Sequence, residues 1–262
     1  MKLKFIIIII IIFSLFLSAL LYYSFSQQSN NQLSSLSTLH FYDEPSIDLK
    51  HINLYAIYVV AADKKNEIKN NWQQLIEKSL QKISAFHQNQ FRNLSHLEYK
   101  IYKQPIIIEN IDTMNNKGFD VTSLPEFFKI IEKIDKEMPL DFITNKNDIY
   151  KILVIFYEGE NTAFGSAIVD KENIAEKYQQ SSRIITTTIE NFNGVALISN
   201  DYLNKPYGES ILYHEIAHTL GIPDFYKDNQ ELSLDIMGNG RFIPLEINYL
   251  DYEIIKKMTQ TK

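Results

Sequence analysis

The chain contains no cysteine, which excludes disulfides, thiolate metal sites, cysteine nucleophiles and any latency device built on a thiolate capping a metal. A metal site here must be built from His, Asp or Glu. Histidine is itself scarce, at six in 262 residues. The basic excess that phosphate binding requires is also missing: 26 Lys and Arg stand against 32 Asp and Glu, giving a net charge of −6. No nucleic-acid partner is expected from such a composition. What the chain does supply is a core, with 45% apolar and 13% aromatic residues, enough for one well-buried domain.

Lysine and arginine are absent again between Phe5 and Leu49. Within that interval, Phe5 to Phe25 is uncharged and overwhelmingly apolar, long enough to cross a bilayer as a helix. Residues 1–26 therefore read as a transmembrane signal-anchor or a signal peptide. Their length favours a retained anchor, whereas Ser24-Phe25-Ser26 offers small residues for cleavage. Lys2 and Lys4 set an N-inside orientation, so the remainder is expected outside the cytoplasm, tethered or secreted. Residues 27–50, rich in Gln, Asn and Ser, read as a polar linker, and 51–262 as the folded domain.

Periodicity gives the elements of that domain. Ile52 to Ala61 is a β-rich apolar run, and Lys65 to Gln90 carries apolar residues at helical spacing. Leu97 to Ile108 predicts a strand interrupted by Pro105. Ser123 is placed to cap a helix over Leu124 to Glu137, striped by Phe127, Phe128, Ile130, Ile131 and Ile134. Strands are expected at Lys151 to Tyr157, Gly165 to Val169, Arg183 to Ile189 and Val195 to Ser199. A helix with Pro206 in its first turn and Glu209 at its positive end follows, and a last helix covers Leu245 to Met258.

The segment that carries chemistry is His214-Glu215-Ile216-Ala217-His218-Thr219-Leu220-Gly221-Ile222-Pro223-Asp224. Residues four apart on a helix lie about 40° apart in azimuth and about 6 Å along the axis, so both imidazoles can reach one ion. Glu215 is then placed as a general base toward zinc-bound water. Gly221 permits the left-handed stop that turns the chain back, so that Asp224 can complete the set. Three protein ligands leave a fourth position open, the mark of a catalytic site. HExxH alone arises by chance in roughly 1% of such chains, and adding the Gly and Asp lowers this to the order of 10⁻⁵. His40, His51, His87 and His96 have no partner at ligand spacing and are expected to be structural or solvent-exposed. Glu231, Asp235 and Glu246 are alternative third ligands. Asp228, Glu231 and Asp235 could also hold calcium, although a plain acidic loop fits them better.

A second tract, Leu234-Asp235-Ile236-Met237-Gly238-Asn239-Gly240, places a methionine in a glycine-bounded turn behind the motif. Together the two tracts resemble the metzincin zinc peptidases whose third ligand is aspartate, such as snapalysin and the immune inhibitor A-like peptidases. The specific similarity covers about thirty residues. The resemblance implies an α/β (α+β) fold: a twisted mixed sheet, a long backing helix, an active-site helix, a Met-turn and a C-terminal helix. It makes His214, His218 and Asp224 the zinc ligands, Glu215 the catalytic base and Met237 the Met-turn residue. It also implies that Val195 to Ser199 is the sheet edge that pairs with an extended substrate. Residues just after Met237 would wall the pocket for the side chain beyond the scissile bond.

Two departures from the usual pattern matter. An aspartate in place of a third histidine lowers the charge of the metal site by one. Asn239 stands where related enzymes have a tyrosine that can approach the metal, and Tyr213 and Tyr226 are the nearby substitutes in sequence. The expectation is an extracytoplasmic zinc endopeptidase cleaving proteins or peptides by Glu-assisted attack of zinc-bound water. The alternative is a membrane-anchored zinc-binding envelope or binding protein that catalyses nothing. Chelator-sensitive hydrolysis separates the two.

Overall fold

A computed structural model describes residues 38–109, 125–143, 149–159, 162–168, 191–225 and 234–259. Residues 1–26 with the apolar segment, the cap Ser123, the strand expected over Arg183 to Ile189, and Tyr226, Asp228 and Glu231 lie outside the described residues. Among the described residues, no helix is long and apolar enough to cross a membrane.

The centre is a six-stranded sheet. β1 (His51–Ala61) runs parallel to β2 (His96–Ile101), β3 (Ile106–Ile108) and β4 (Tyr150–Glu158). Beyond β4 come β6 (Gly194–Ser199), parallel to it, and β5 (Ala163–Ala167), antiparallel to β6. The order is β2-β1-β4-β6-β5, with β3 also on β1. The mixed α/β sheet expected from the sequence is therefore present. The expected edge is not: Val195 to Ser199 lies inside the sheet between β4 and β5, and among the described residues the edge is β5.

Period-two alternation sends the buried residues of β1 to two cores. Leu54, Ala56 and Tyr58 face one side, where α1 (Trp72–Gln90), α4 (Gly208–Thr219) and α5 (Tyr252–Thr259) contribute Ile76, Leu80, Leu212, Ile216 and Ile254. Tyr55, Ile57 and Val59 face the other, closed by Phe127, Ile130 and Ile134 of α2 (Pro125–Glu137). A short helix α3 (Asn200–Leu203) joins β6 to α4.

Several boundaries differ from the sequence reading, each for a local reason. The helix expected from Lys65 begins only at Trp72, after a 3-10 turn over Ala62–Glu67. Ile68 still packs on the core, and the Trp72 ring stacks on Tyr58 at 4.9 Å. Pro105, which has no N–H, separates β2 from β3. The last helix starts at Tyr252 rather than Leu245. Leu245–Ile247 forms only a 3-10 turn, ended at Asn248, whose Nδ2 donates to the Gly240 carbonyl at 2.8 Å, and Asp251 accepts the Glu253 N–H at 2.8 Å. The packed region also reaches back into 27–50: Leu39, Phe41 and Leu49 are buried, and the His40 N–H donates to the Met258 carbonyl at 2.9 Å.

The four histidines outside the motif are structural where the fold fixes them. His51 and His96 stack across β1 and β2. His87 is wholly buried under α4, and Ser95 spends its proton on the Leu49 carbonyl, so Ser95 Oγ accepts from His87 Nε2 and Tyr213 donates to His87 Nδ1. Burial, with a smaller contribution from His96, pushes His87 down to about 3. The unfolded chain takes this proton near pH 6.5 and the folded chain only near 3. Stability is therefore full above about pH 6.5 and falls with pH through that window, by up to about 1.4 kcal/mol per unit. Urea unfolding at pH 7 and pH 5 is expected to show a loss about 2 kcal/mol larger for the parent chain than for His87→Gln. Equal losses would show that this imidazole does not titrate between the two states.

Candidate metal centre

α4 begins at Gly208, so Pro206 precedes the helix rather than occupying its first turn. Glu209 is in that first turn and pairs with Lys82 of α1 at 3.0 Å. Leu212, Ile216 and Leu220 are buried as the spacing required. The helix is pressed directly on the sheet edge. A Cβ on Gly165 of β5 would lie 1.8 Å from the Glu215 carbonyl oxygen, so only glycine permits this approach. α4 and β5 are thereby held side by side.

Past the helix, Gly221 adopts φ +81°, in the left-handed region, and its N–H donates to the His218 carbonyl at 3.1 Å. The reversed chain brings Asp224 back over the histidines. Its Oδ1 lies 3.4 Å from His214 Nε2 and 3.6 Å from His218 Nε2, and the two Nε2 atoms are 3.1 Å apart. Donors each about 2.1 Å from a common tetrahedral ion stand roughly 3.4 Å from one another, so these separations fit an ion of the size and preference of zinc.

The tautomers agree. His214 Nδ1 donates to the Ile236 carbonyl and His218 Nδ1 to the Ile222 carbonyl, both at 2.8 Å. A carbonyl only accepts, so both protons sit on Nδ1 and both Nε2 lone pairs face the same point. Two such lone pairs with a carboxylate oxygen repel one another unless positive charge lies among them. This donor set could hold a cation.

Glu215 places a carboxylate oxygen within 4.8 Å of a ring nitrogen of each of the two histidines. By distance it competes with Asp224 for the role of third donor. The separations around Asp224 match the tetrahedral value. Burial pushes Glu215 up to about 8; Arg241 acts against this and Asp224 adds to it. His214 is lowered to about 3 by burial, with His218 and Arg241 adding to the effect against its hydrogen bond to Ile236.

The turn after the described part of the loop supports the site from below. Met237 is wholly buried; its N–H donates to Asp235 Oδ1 at 3.1 Å, and its carbonyl accepts the Phe225 N–H at 2.8 Å. Ile236, one residue earlier, supplies the carbonyl that orients His214. Asp235 thus shapes the turn rather than facing the imidazoles, and Glu246 pairs with Lys82 at 3.4 Å. Neither joins the donor set. Tyr213 is also excluded as a helper, because its hydroxyl is buried against His87 on the other side of α4.

One group at the centre was not singled out in the sequence. Arg241, in the 3-10 turn Asn239–Phe242, brings Nη1 to 3.1 Å from His214 Nε2 and 3.7 Å from Asp224 Oδ1. Nothing in linear spacing signals this, because the reach depends on how the turn folds under α4.

No family model matches the chain, and no curated protein matches it. Among solved structures, metalloproteinase-II from Bacteroides fragilis is similar at TM-score 0.42 and 14% identity, over 88% of this chain and 58% of that one. An Argonaute from Kluyveromyces polysporus with a guide RNA is similar at TM-score 0.32 and 14% identity, over 64% of this chain and 16% of that one. The chain thus spans less than two thirds of either structure. Likeness at this level carries no weight beside the geometry of the site itself.

Proposed function

We propose that the chain is a zinc-dependent endopeptidase acting outside the cytoplasm, held at the membrane by its N-terminal apolar segment or released if that segment is cleaved. The observation that carries the reading is the convergence of His214 Nε2, His218 Nε2 and Asp224 Oδ1 beside the Glu215 carboxylate. His214, His218 and Asp224 would hold the ion. Zinc in such a site supplies Lewis acidity toward water and a carbonyl oxygen.

The protein's own residues do the rest. The carbonyls of Ile236 and Ile222 fix the imidazole planes, so the ligand lone pairs need no rearrangement. Glu215, buried yet next to the open side of the donor set, takes the proton of the attacking water and returns it to the leaving amine nitrogen. β5, the edge strand among the described residues and pinned against α4 at Gly165, is where an extended peptide would lie. Met237 underlies the histidines as packing.

Hydrolysis of unfolded casein by the detergent-solubilised full chain is expected to stop on chelation and return on adding zinc. Hydrolysis that persists after the zinc has been stripped would contradict the reading. Full zinc content with no cleavage of any peptide library would favour the non-catalytic alternative.

A further inference from the structure

We infer that Arg241 is a second electrophilic group of this site, facing the oxygen on which negative charge develops during peptide hydrolysis. The inference rests on the proposed peptidase reading. A guanidinium cannot ligate a metal; its Nη1 donates toward the His214 Nε2 lone pair at 3.1 Å and lies 3.7 Å from Asp224 Oδ1, so once an ion takes that lone pair the guanidinium is left to anionic oxygen. Asp224, unlike a histidine, removes one positive charge from the site, and Arg241 restores it.

The arginine is also well held. Its backbone follows Gly240, whose N–H donates to the Asp235 carbonyl at 3.0 Å and whose carbonyl accepts from Asn248 Nδ2 at 2.8 Å. A Cβ on Gly240 would lie 2.5 Å from the Asp235 oxygen, so the turn is packed tight just before the arginine. The guanidinium lies over the Phe242 ring at 4.9 Å and keeps about a quarter of its side chain, 26%, open to solvent. It therefore stays accessible to solvent while it touches the donor set. Tyr213, its hydroxyl buried against His87, offers no donor there.

In the step itself, the water oxygen bonds to the carbonyl carbon and its proton passes to Glu215. The carbonyl π electrons move onto oxygen, and Arg241 faces that oxyanion. When the oxyanion reforms the carbonyl, the C–N bond breaks and the proton on Glu215 goes to the amine. A donor that acts mainly at the oxyanion raises kcat more than it lowers KM.

The test uses the zinc-loaded full chain with Arg241→Ala and Arg241→Lys. It reads kcat and KM on a peptide with a blocked C-terminus, affinity for a phosphinic peptide as an anionic tetrahedral mimic, zinc content, and melting temperature. Arg241→Ala is expected to keep its zinc and melting temperature, lose roughly 10²–10³-fold in kcat with KM little changed, and weaken phosphinic-peptide binding correspondingly. Arg241→Lys should recover part of both losses. Unchanged kcat and unchanged phosphinic affinity in Arg241→Ala would overturn the inference, as would loss of zinc. So would a KM effect confined to peptides with a free C-terminal carboxylate. A parent chain that binds the phosphinic peptide through Arg241 but hydrolyses nothing would sink the peptidase reading while leaving the anion-facing role of Arg241 intact.

Discussion

Glu215→Ala is expected to retain its zinc and lose peptide hydrolysis by roughly 10²–10⁴-fold, the range for removing a positioned general base. Glu215 is buried on α4 with its carboxylate close to both imidazole nitrogens, while its backbone carbonyl is fixed against Gly165. Truncation removes the proton acceptor without disturbing the Nδ1 hydrogen bonds that orient His214 and His218. Zinc content and steady-state rates, measured on the same preparation, separate the two roles. Hydrolysis at the parent rate in Glu215→Ala would remove this residue from the mechanism.

Asp224→Ala is expected to behave in the opposite way, losing zinc first and activity as a consequence. Outer-shell partners of metal ligands are commonly worth 10–100-fold in affinity, so loss of a direct ligand should weaken zinc by more than about 100-fold. Asp224 is about half exposed and follows the Gly221 turn, so little packing is lost with its carboxylate. Chelator competition should report weaker zinc binding while melting of the zinc-free protein is nearly unchanged. Zinc affinity equal to the parent's would mean that Glu215 or another donor completes the set.

The contrast between these variants shows what linear sequence could and could not carry. His214, Glu215, His218, Gly221 and Asp224 form one helix and its stop, and their geometry follows from helical rise and one left-handed residue, so the cluster was legible from spacing. The strands β1, β4 and β6 were legible too, because they are buried apolar runs. The edge was not: β6 pairs with β4 on one side and on the other with β5, which precedes it in the chain, and linear apolar runs do not encode that pairing order. The start of α1 was misplaced because Ile68 keeps helical spacing while packing from a turn. The early packing of Leu39, Phe41 and Leu49 was hidden by the polar composition around them. Arg241 escaped notice because its proximity to His214 is a tertiary contact made through the Met237 turn.

That turn also explains why the motif and the methionine tract belong together. The Ile236 carbonyl holds His214, Met237 is wholly buried, and Arg241 reaches back to His214 and Asp224, all within one short segment. An isolated HExxH helix would have none of these supports. The fold thus joins the pieces that the sequence separates.

The most direct test of the central claim is a crystal structure of the zinc-loaded protein. The account predicts zinc bound by His214 Nε2, His218 Nε2 and a carboxylate oxygen of Asp224 at about 2.0–2.2 Å, with Glu215 outside the coordination sphere. Zinc held through Glu215 with Asp224 turned away to solvent, or no zinc at these residues, would contradict it.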